Sequence, residues 1–269
     1  MRNPFACIVL ASALVLMIGQ AMAQNHTTAS TRHLVWSDEF EGSGLPDPAR
    51  WRYEVGGGGW GNQELQFYTR GRRENARIED GNLTIEARRE PWERSAYTSA
   101  RLVTKGRGDW IYGRIEARAR LPKGRGSWPA IWMLPTTRSE MQWPDDGEVD
   151  IMEHVGFDLG VIHGSVHTKR YNHIIGTQKT NTTRVPDATD AFHVYAVEWN
   201  KSRIRWFVDD REYFAFENER QDKDVWPFDA PFHLVLNVAV GGTWGGQKGV
   251  DDSAFPMRME LDYVRVYRP

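Results

Sequence analysis

Three carboxylates fall within the six residues Glu148-Val149-Asp150-Ile151-Met152-Glu153, interleaved with Val, Ile and Met. An ionised side chain is costly to bury unless it is paired or put to work. Alternating apolar residues, by contrast, mark a strand with one face on a core. The stretch therefore predicts a strand that presses one face onto the core and turns its carboxylates the other way. Residues two apart on a regular strand share a face, so Glu148 and Asp150 point together. Glu153, five residues after Glu148, would point away. One extra residue at Ile151 or Met152, a β-bulge, restores the phase and returns Glu153 to the carboxylate face. The plainer alternative is a solvated polar face on an edge strand, on which Val149, Ile151 and Met152 would be poorly placed.

With that bulge the Cα atoms of Glu148 and Glu153 stand about four strand steps apart, roughly 13 Å. If both side chains lean inward over Asp150, roughly 5 Å separates the carboxyl groups, the spacing of a retaining glycosidase pair. An inverting pair needs roughly 6.5–9.5 Å, to leave room for a water.

The rest of the chain reads as β-structure. Residues 76–79 and 82–87 flank Asp80-Gly81 and predict a tight hairpin. Residues 203–208 and 211–216 flank Asp209-Asp210 and predict another. Further alternating runs cover 98–105, 110–121, 128–134, 148–155, 161–167, 192–199, 232–240 and 257–267, and only 222–226 hints at a helical turn. Many short strands with almost no helix predict an all-β sandwich or barrel. No repeat or linker interrupts 34–269, which is read as one domain.

Residues 1–23 carry Arg2, an apolar run and Ala21-Met22-Ala23, the pattern of a secretory signal with its cleavage site. The run is short for a membrane span. Residues 24–33 are expected to be a flexible leader. The single cysteine, Cys7, lies inside the signal, so no disulfide staples the mature chain. Loss of Arg2 would leave 33 basic against 36 acidic residues, a net charge of −3 instead of the full chain's −2. That balance gives no basic patch for nucleic acid, and it suits a neutral ligand.

Trp128, Trp132, Trp143 and Trp244 lie near glycine, proline or the carboxylate strand, where a broad indole face can stack on a sugar ring. Trp199, Trp206 and Trp226 are read as core. Gly56-Gly57-Gly58-Gly59 lacks phosphate-loop spacing. It reads either as a plain flexible loop or as one that brings backbone and Trp60 close to a ligand. His154, His163 and His167 could suggest zinc, but no cysteine supports them. His167 reads better as a hydrogen-bond donor near the acidic residues.

The Glu148–Glu153 motif resembles the Glu-x-Asp-x-x-Glu signature of glycoside hydrolase family 16. Similar agreement comes from Trp60-Gly61-Asn62-Gln63-Glu64-Leu65-Gln66, Ser127-Trp128-Pro129-Ala130-Ile131-Trp132-Met133-Leu134, Trp143-Pro144, Gly164-Ser165-Val166-His167, Asn237-Val238-Ala239-Val240-Gly241-Gly242 and Asp262-Tyr263-Val264-Arg265-Val266-Tyr267. The resemblance spans roughly 34–269. It is strongest to the bacterial laminarinases, whose extra bulge residue Met152 would supply. It implies a β-jelly-roll sandwich of two antiparallel sheets with a concave substrate cleft. It further implies Glu148 as nucleophile, Glu153 as acid/base and Asp150 as the residue that orients and tunes Glu148. Asn62, Arg101, Trp128, Trp132, Trp143, His167, Asn237 and Trp244 are implied cleft residues. A structural calcium is implied at Glu39, the Gly81 carbonyl and Asp262, and no cofactor for catalysis. The expected protein is a secreted, monomeric endo-β-1,3-glucanase. A galactan such as agar or porphyran as substrate, or a β-glucan-binding protein without catalysis, are the rival readings.

Overall fold

Alternation in the sequence is realised almost everywhere as antiparallel pairing. The computed structural model describes residues 32–137 and 140–268. The signal segment 1–23 and nearly all of the leader 24–33 lie outside the described residues. Within them, strands form two sheets of ten and eight members.

The ten-stranded sheet runs Arg211–Glu217, Arg203–Val208, His193–Trp199, Gly113–Arg120, Met257–Arg268, Asn82–Trp92, Ser95–Ser99 and Gln66–Tyr68. His33–Asp38 also pairs with Met257–Arg268, and Ala76–Glu79 with Asn82–Trp92. The eight-stranded sheet runs Lys179–Arg184, Val161–His167, Glu148–Glu153, Ser127–Pro135, Phe232–Val240, Arg101–Val103 and Arg52–Glu54, with Asp109–Trp110 added at Phe232–Val240. One pair departs from the antiparallel rule: Gln66–Tyr68 runs parallel to Ser95–Ser99.

The two predicted hairpins form where expected. Asp80 and Gly81 both take positive φ, as do Asp209 and Asp210, which is the backbone a two-residue hairpin loop of this twist requires. The run 98–105 divides in two. Ser95–Ser99 belongs to the ten-stranded sheet and Arg101–Val103 to the other, so the chain changes layers at the buried Ala100. Residues 110–121 are likewise interrupted, at Tyr112, whose φ is +66°. The turn at 222–226 is present as a single bonded turn closed on the Asp222 carbonyl. Lys179–Arg184 went unread because it alternates no apolar residues; it is a polar edge strand.

The core fills the space between the sheets, and strand faces sort cleanly. On Phe232–Val240 the residues Leu234, Leu236, Val238 and Val240 enter the core, whereas His233, Asn237 and Ala239 line the opposite surface. Trp199, Trp206 and Trp226 are buried in the core as read from sequence. Trp206 reaches across from the ten-stranded sheet and donates its Nε1–H to the Asp150 carbonyl at 2.7 Å. Gly164 permits that approach, because a Cβ there would stand 2.6 Å from the Trp206 ring. Removing a buried side chain of this size costs about 3–5 kcal/mol.

Candidate active site

The carboxylate strand contains the expected bulge. Trp132 pairs with Asp150 and Ile131 with Met152, so Ile151 has no partner across that edge. On the other edge Asp150 faces Ser165 and Glu153 faces His163, so Ile151 and Met152 stand against Gly164 alone. Ile151 and Met152 therefore both enter the core beside Val149, and Glu148, Asp150 and Glu153 share the other face.

Each carboxylate has its own neighbour. Trp143 Nε1–H donates to Glu148 at 2.9 Å, and Trp128 Nε1–H to Glu153 at 3.0 Å. His167 stands opposite Glu148 in the register, its Nε2 3.8 Å from Glu148 and 3.2 Å from Asp150. Burial pushes the Glu148 carboxyl up to about 8, and the Asp150 charge adds to it, against the pull of His167 and the Trp143 N–H. Burial likewise pushes Glu153 up to about 7, opposed by His167 and the Trp128 N–H. Asp150 is raised well above the ordinary carboxylate range by burial first and by the Glu153 charge second. Three negative charges cannot coexist there at neutral pH, so the cluster retains protons that a reaction can use.

A cavity of about 650 Å3 lies over this face. Glu148, Asn62, Arg101, Trp128, Trp132, Trp143 and Asn237 line it, all of them expected cleft residues. Arg101 lies between the faces of Trp60 and Trp132, 4.8 and 4.7 Å from their ring centres, with its Nε–H on Glu54 at 2.6 Å. Trp132 Nε1–H donates to Asn237 Oδ1 at 2.7 Å, and Asn237 Nδ2–H donates to the Tyr68 hydroxyl. Rings so tethered present fixed faces. Trp244 lies just outside the cavity, edge-on to Trp128 and His163. His167 sits beneath the site, against its acidic residues.

Several lining residues escaped the sequence reading: Glu54, Glu64, Lys105, His173 and Ile174. Glu64 is half-buried and accepts from Asn62, Gln66 and Tyr68; its place in a strongly polar motif was the available signal. His173 and Ile174 belong to a 3-10 turn whose His173 ring packs on Trp143 and His167. Nothing in their local sequence marks them.

The metal readings fare differently. His154 is buried, its Nε2 accepting the Gly160 N–H, and His163 packs on Trp244, so the zinc trio does not assemble. Among the described residues the one group of three ligands able to converge is Glu148, Asp150 and His167, which is the carboxylate site itself. For the calcium position, register brings Glu39, Gly81 and Asp262 toward one end of the ten-stranded sheet. Yet Glu39 accepts two hydrogen bonds from Arg265, at 3.0 and 2.8 Å, and Asp262 one from Arg118 at 2.6 Å. The carboxylates are neutralised by guanidinium groups, so the arrangement gives calcium no support.

A two-sheet β-sandwich with buried carboxylates beneath tethered tryptophans is the architecture of a carbohydrate-active β-sandwich enzyme. Residues 63–265 match the family described as Glycosyl hydrolases family 16, and the chain belongs to that family. It is 60% identical over 264 residues to a beta-glucanase of Rhodothermus marinus, covering 95% of this chain and 92% of that protein. A glucan endo-1,3-beta-glucosidase of Cryptopygus antarcticus is 40% identical over 86% of this chain and 90% of its own. The X-ray structure of the laminarinase from Rhodothermus marinus superposes with a TM-score of 0.86 at 62% identity, covering 88% of this chain and 97% of that one. Fold class, family and enzymatic character agree with the sequence reading.

Proposed function

We propose that this protein is a retaining endo-β-1,3-glucanase that hydrolyses laminarin-like glucans and accepts mixed β-1,3-1,4 linkages. The observation that carries the reading is the shared face of Glu148, Asp150 and Glu153 under the tryptophan-lined cavity. The names of the relatives point to the same substrate class.

Glu153 gives its proton to the glycosidic oxygen as Glu148 attacks the anomeric carbon. The leaving sugar departs with that proton, and a glycosyl ester forms on Glu148. Glu153, now a carboxylate, takes a proton from water, which attacks the same carbon and frees Glu148. In the unliganded site Glu148 is raised even more than Glu153. The assignment of the reacting proton to Glu153 therefore rests on the resemblance of Glu148–Glu153 to the family signature, with His167 opposite Glu148 in the register. Asp150 and His167 would hold Glu148 in line. Arg101, Asn62, Asn237, Trp128, Trp132, Trp143 and, from outside the cavity, Trp244 would bind the glucan.

No cofactor enters this chemistry. Calcium at Glu39, the Gly81 carbonyl and Asp262 would have to displace two arginines, and melting with and without chelator tests it. Secretion after removal of 1–23, and a monomeric state, complete the proposal.

The deciding experiment compares sugar release from laminarin, lichenan, agarose and porphyran with wild type, Glu148→Ala and Glu153→Ala. Wild type should cut laminarin, and neither variant should approach its rate. Azide should rescue Glu153→Ala on a substrate with an activated leaving group. Release from a galactan alone would replace the substrate and keep the mechanism. Binding of laminarin without release would leave a glucan-binding protein.

A further inference from the structure

A second groove, of about 430 Å3, opens beside the loop 105–109 and is bounded by Trp36, Trp110, Arg107 and Arg268. Its construction is specific. Trp36 packs edge-on to Trp110, with ring centres 5.4 Å apart, and Gly108 lies against both indoles. A Cβ at Gly108 would stand 2.6 Å from Trp110, so the position admits no side chain. Trp36 is half-buried, while Arg107 and Arg268 are exposed. Neither arginine has an ion-pair or hydrogen-bond partner for its side chain among the described residues, and the Trp36 indole N–H has no acceptor there. The Asp109 carboxylate also borders the groove and is occupied by the Gly106 N–H and the Thr136 hydroxyl.

The groove adjoins the catalytic cavity. Lys105 lines the cavity, and the next residue, Gly106, lines the groove. Thr136 Oγ1 links the two, 2.7 Å from Asp109 Oδ1 and 3.0 Å from Nδ1 of His233, which lines the cavity. A half-buried indole flanked by guanidinium donors without partners among the described residues matches the apolar face and hydroxyl rim of a pyranose. A carboxylate at the border opposes a polyanion.

We propose that this groove is a second binding site for the β-glucan strand, engaged by the part of the polymer that extends beyond the catalytic cavity past Lys105. The inference rests on the glucanase reading and adds a contact that only long substrates reach.

The test uses the full protein bearing Glu148→Ala, which leaves laminarin intact, run through native gels containing laminarin, with and without Arg107→Ala and Arg268→Ala. The arginine variant should be retarded about fivefold less, as the loss of one or two hydrogen bonds predicts. In the active background its kcat/KM on a β-1,3-pentasaccharide should match wild type, while KM for the polymer rises. Trp36→Phe, which keeps the packing and removes the N–H, should give a smaller change in the same direction. Equal retardation of parent and arginine variant overturns the groove and leaves the glucanase reading untouched. A parent that neither binds nor, with Glu148 restored, cuts laminarin overturns both. Loss of retardation by dextran sulfate but not by laminarin would show an anion site and overturn the glucan assignment.

Discussion

At the scale of single residues, burial makes the carboxylates of the site costly to ionise. A carboxyl whose pKa is higher in the folded state than in the unfolded chain destabilises the fold once it ionises. That penalty is absent below the unfolded value, and it accrues as pH rises toward the folded one. For Glu148 the window runs from the ordinary 4.5 to about 8. Glu148→Gln should thus melt at the wild-type temperature near pH 4 and several degrees higher at pH 8, at about 2–4 °C per kcal/mol for a domain of this size. A constant difference across that range would show that the penalty is absent. On the proposed assignment the alkaline limb of activity reports Glu153, which would have to hold a proton to act as acid. Trp128 donates to its charged form, so Trp128→Phe should raise its pKa and move that limb to higher pH, as a pH–rate profile on a short substrate would show.

At the scale of elements, one unpaired residue sets the phase of the carboxylate strand. Deleting Ile151 would remove the bulge and leave Glu148, Asp150 and Glu153 on one face by strict alternation, with Val149 and Met152 in the core. The core would lose one buried side chain, at about 2–5 kcal/mol. The expected outcome is a melting temperature lowered by about 10 °C, with hydrolysis reduced and not abolished. Complete loss of hydrolysis in a variant that still folds would mean that the phase of the three carboxylates does not suffice and that the bulge itself is needed. This feature was legible from sequence because its cause is local: three charges and three apolar residues in six positions permit one arrangement. Trp143 was legible for the same reason, lying just before the carboxylate motif, whereas Trp128 and Trp132 were read from their place in the Ser127–Leu134 stretch. Glu54 and His173 were not. Glu54 reaches the cleft only because Arg52–Glu54 pairs with Arg101–Val103, and His173 only because its turn folds back on Trp143. Lys105 depends likewise on the path of the loop that joins Arg101–Val103 to Asp109–Trp110. The calcium expectation met the converse difficulty. The chain ends do converge, but Arg118 and Arg265, which take the carboxylates, are visible as partners only when the strands are side by side.

At the scale of the whole molecule, charges of both signs are knitted across the ten-stranded sheet. Arg114 contacts Glu116, Glu198 and Asp210, and the nearly inaccessible Glu86 is met by Arg77, Arg88 and Arg258. These pairs, with Glu39–Arg265 and Asp262–Arg118, supply locally what a bound cation would supply. Chelator should therefore leave the melting temperature unchanged. A drop of more than a few degrees in chelator, reversed by added calcium, would restore the ion to the Glu39–Asp262 end.

The position of Met257–Arg268 also has a consequence in time. This strand pairs with His33–Asp38, Asn82–Trp92 and Gly113–Arg120, so partners made earlier in translation wait for one made later. Until it emerges, the centre of the ten-stranded sheet is missing and its neighbours have no edge to complete. Closure of that sheet therefore follows the synthesis of Met257–Arg268, an order compatible with the export proposed above.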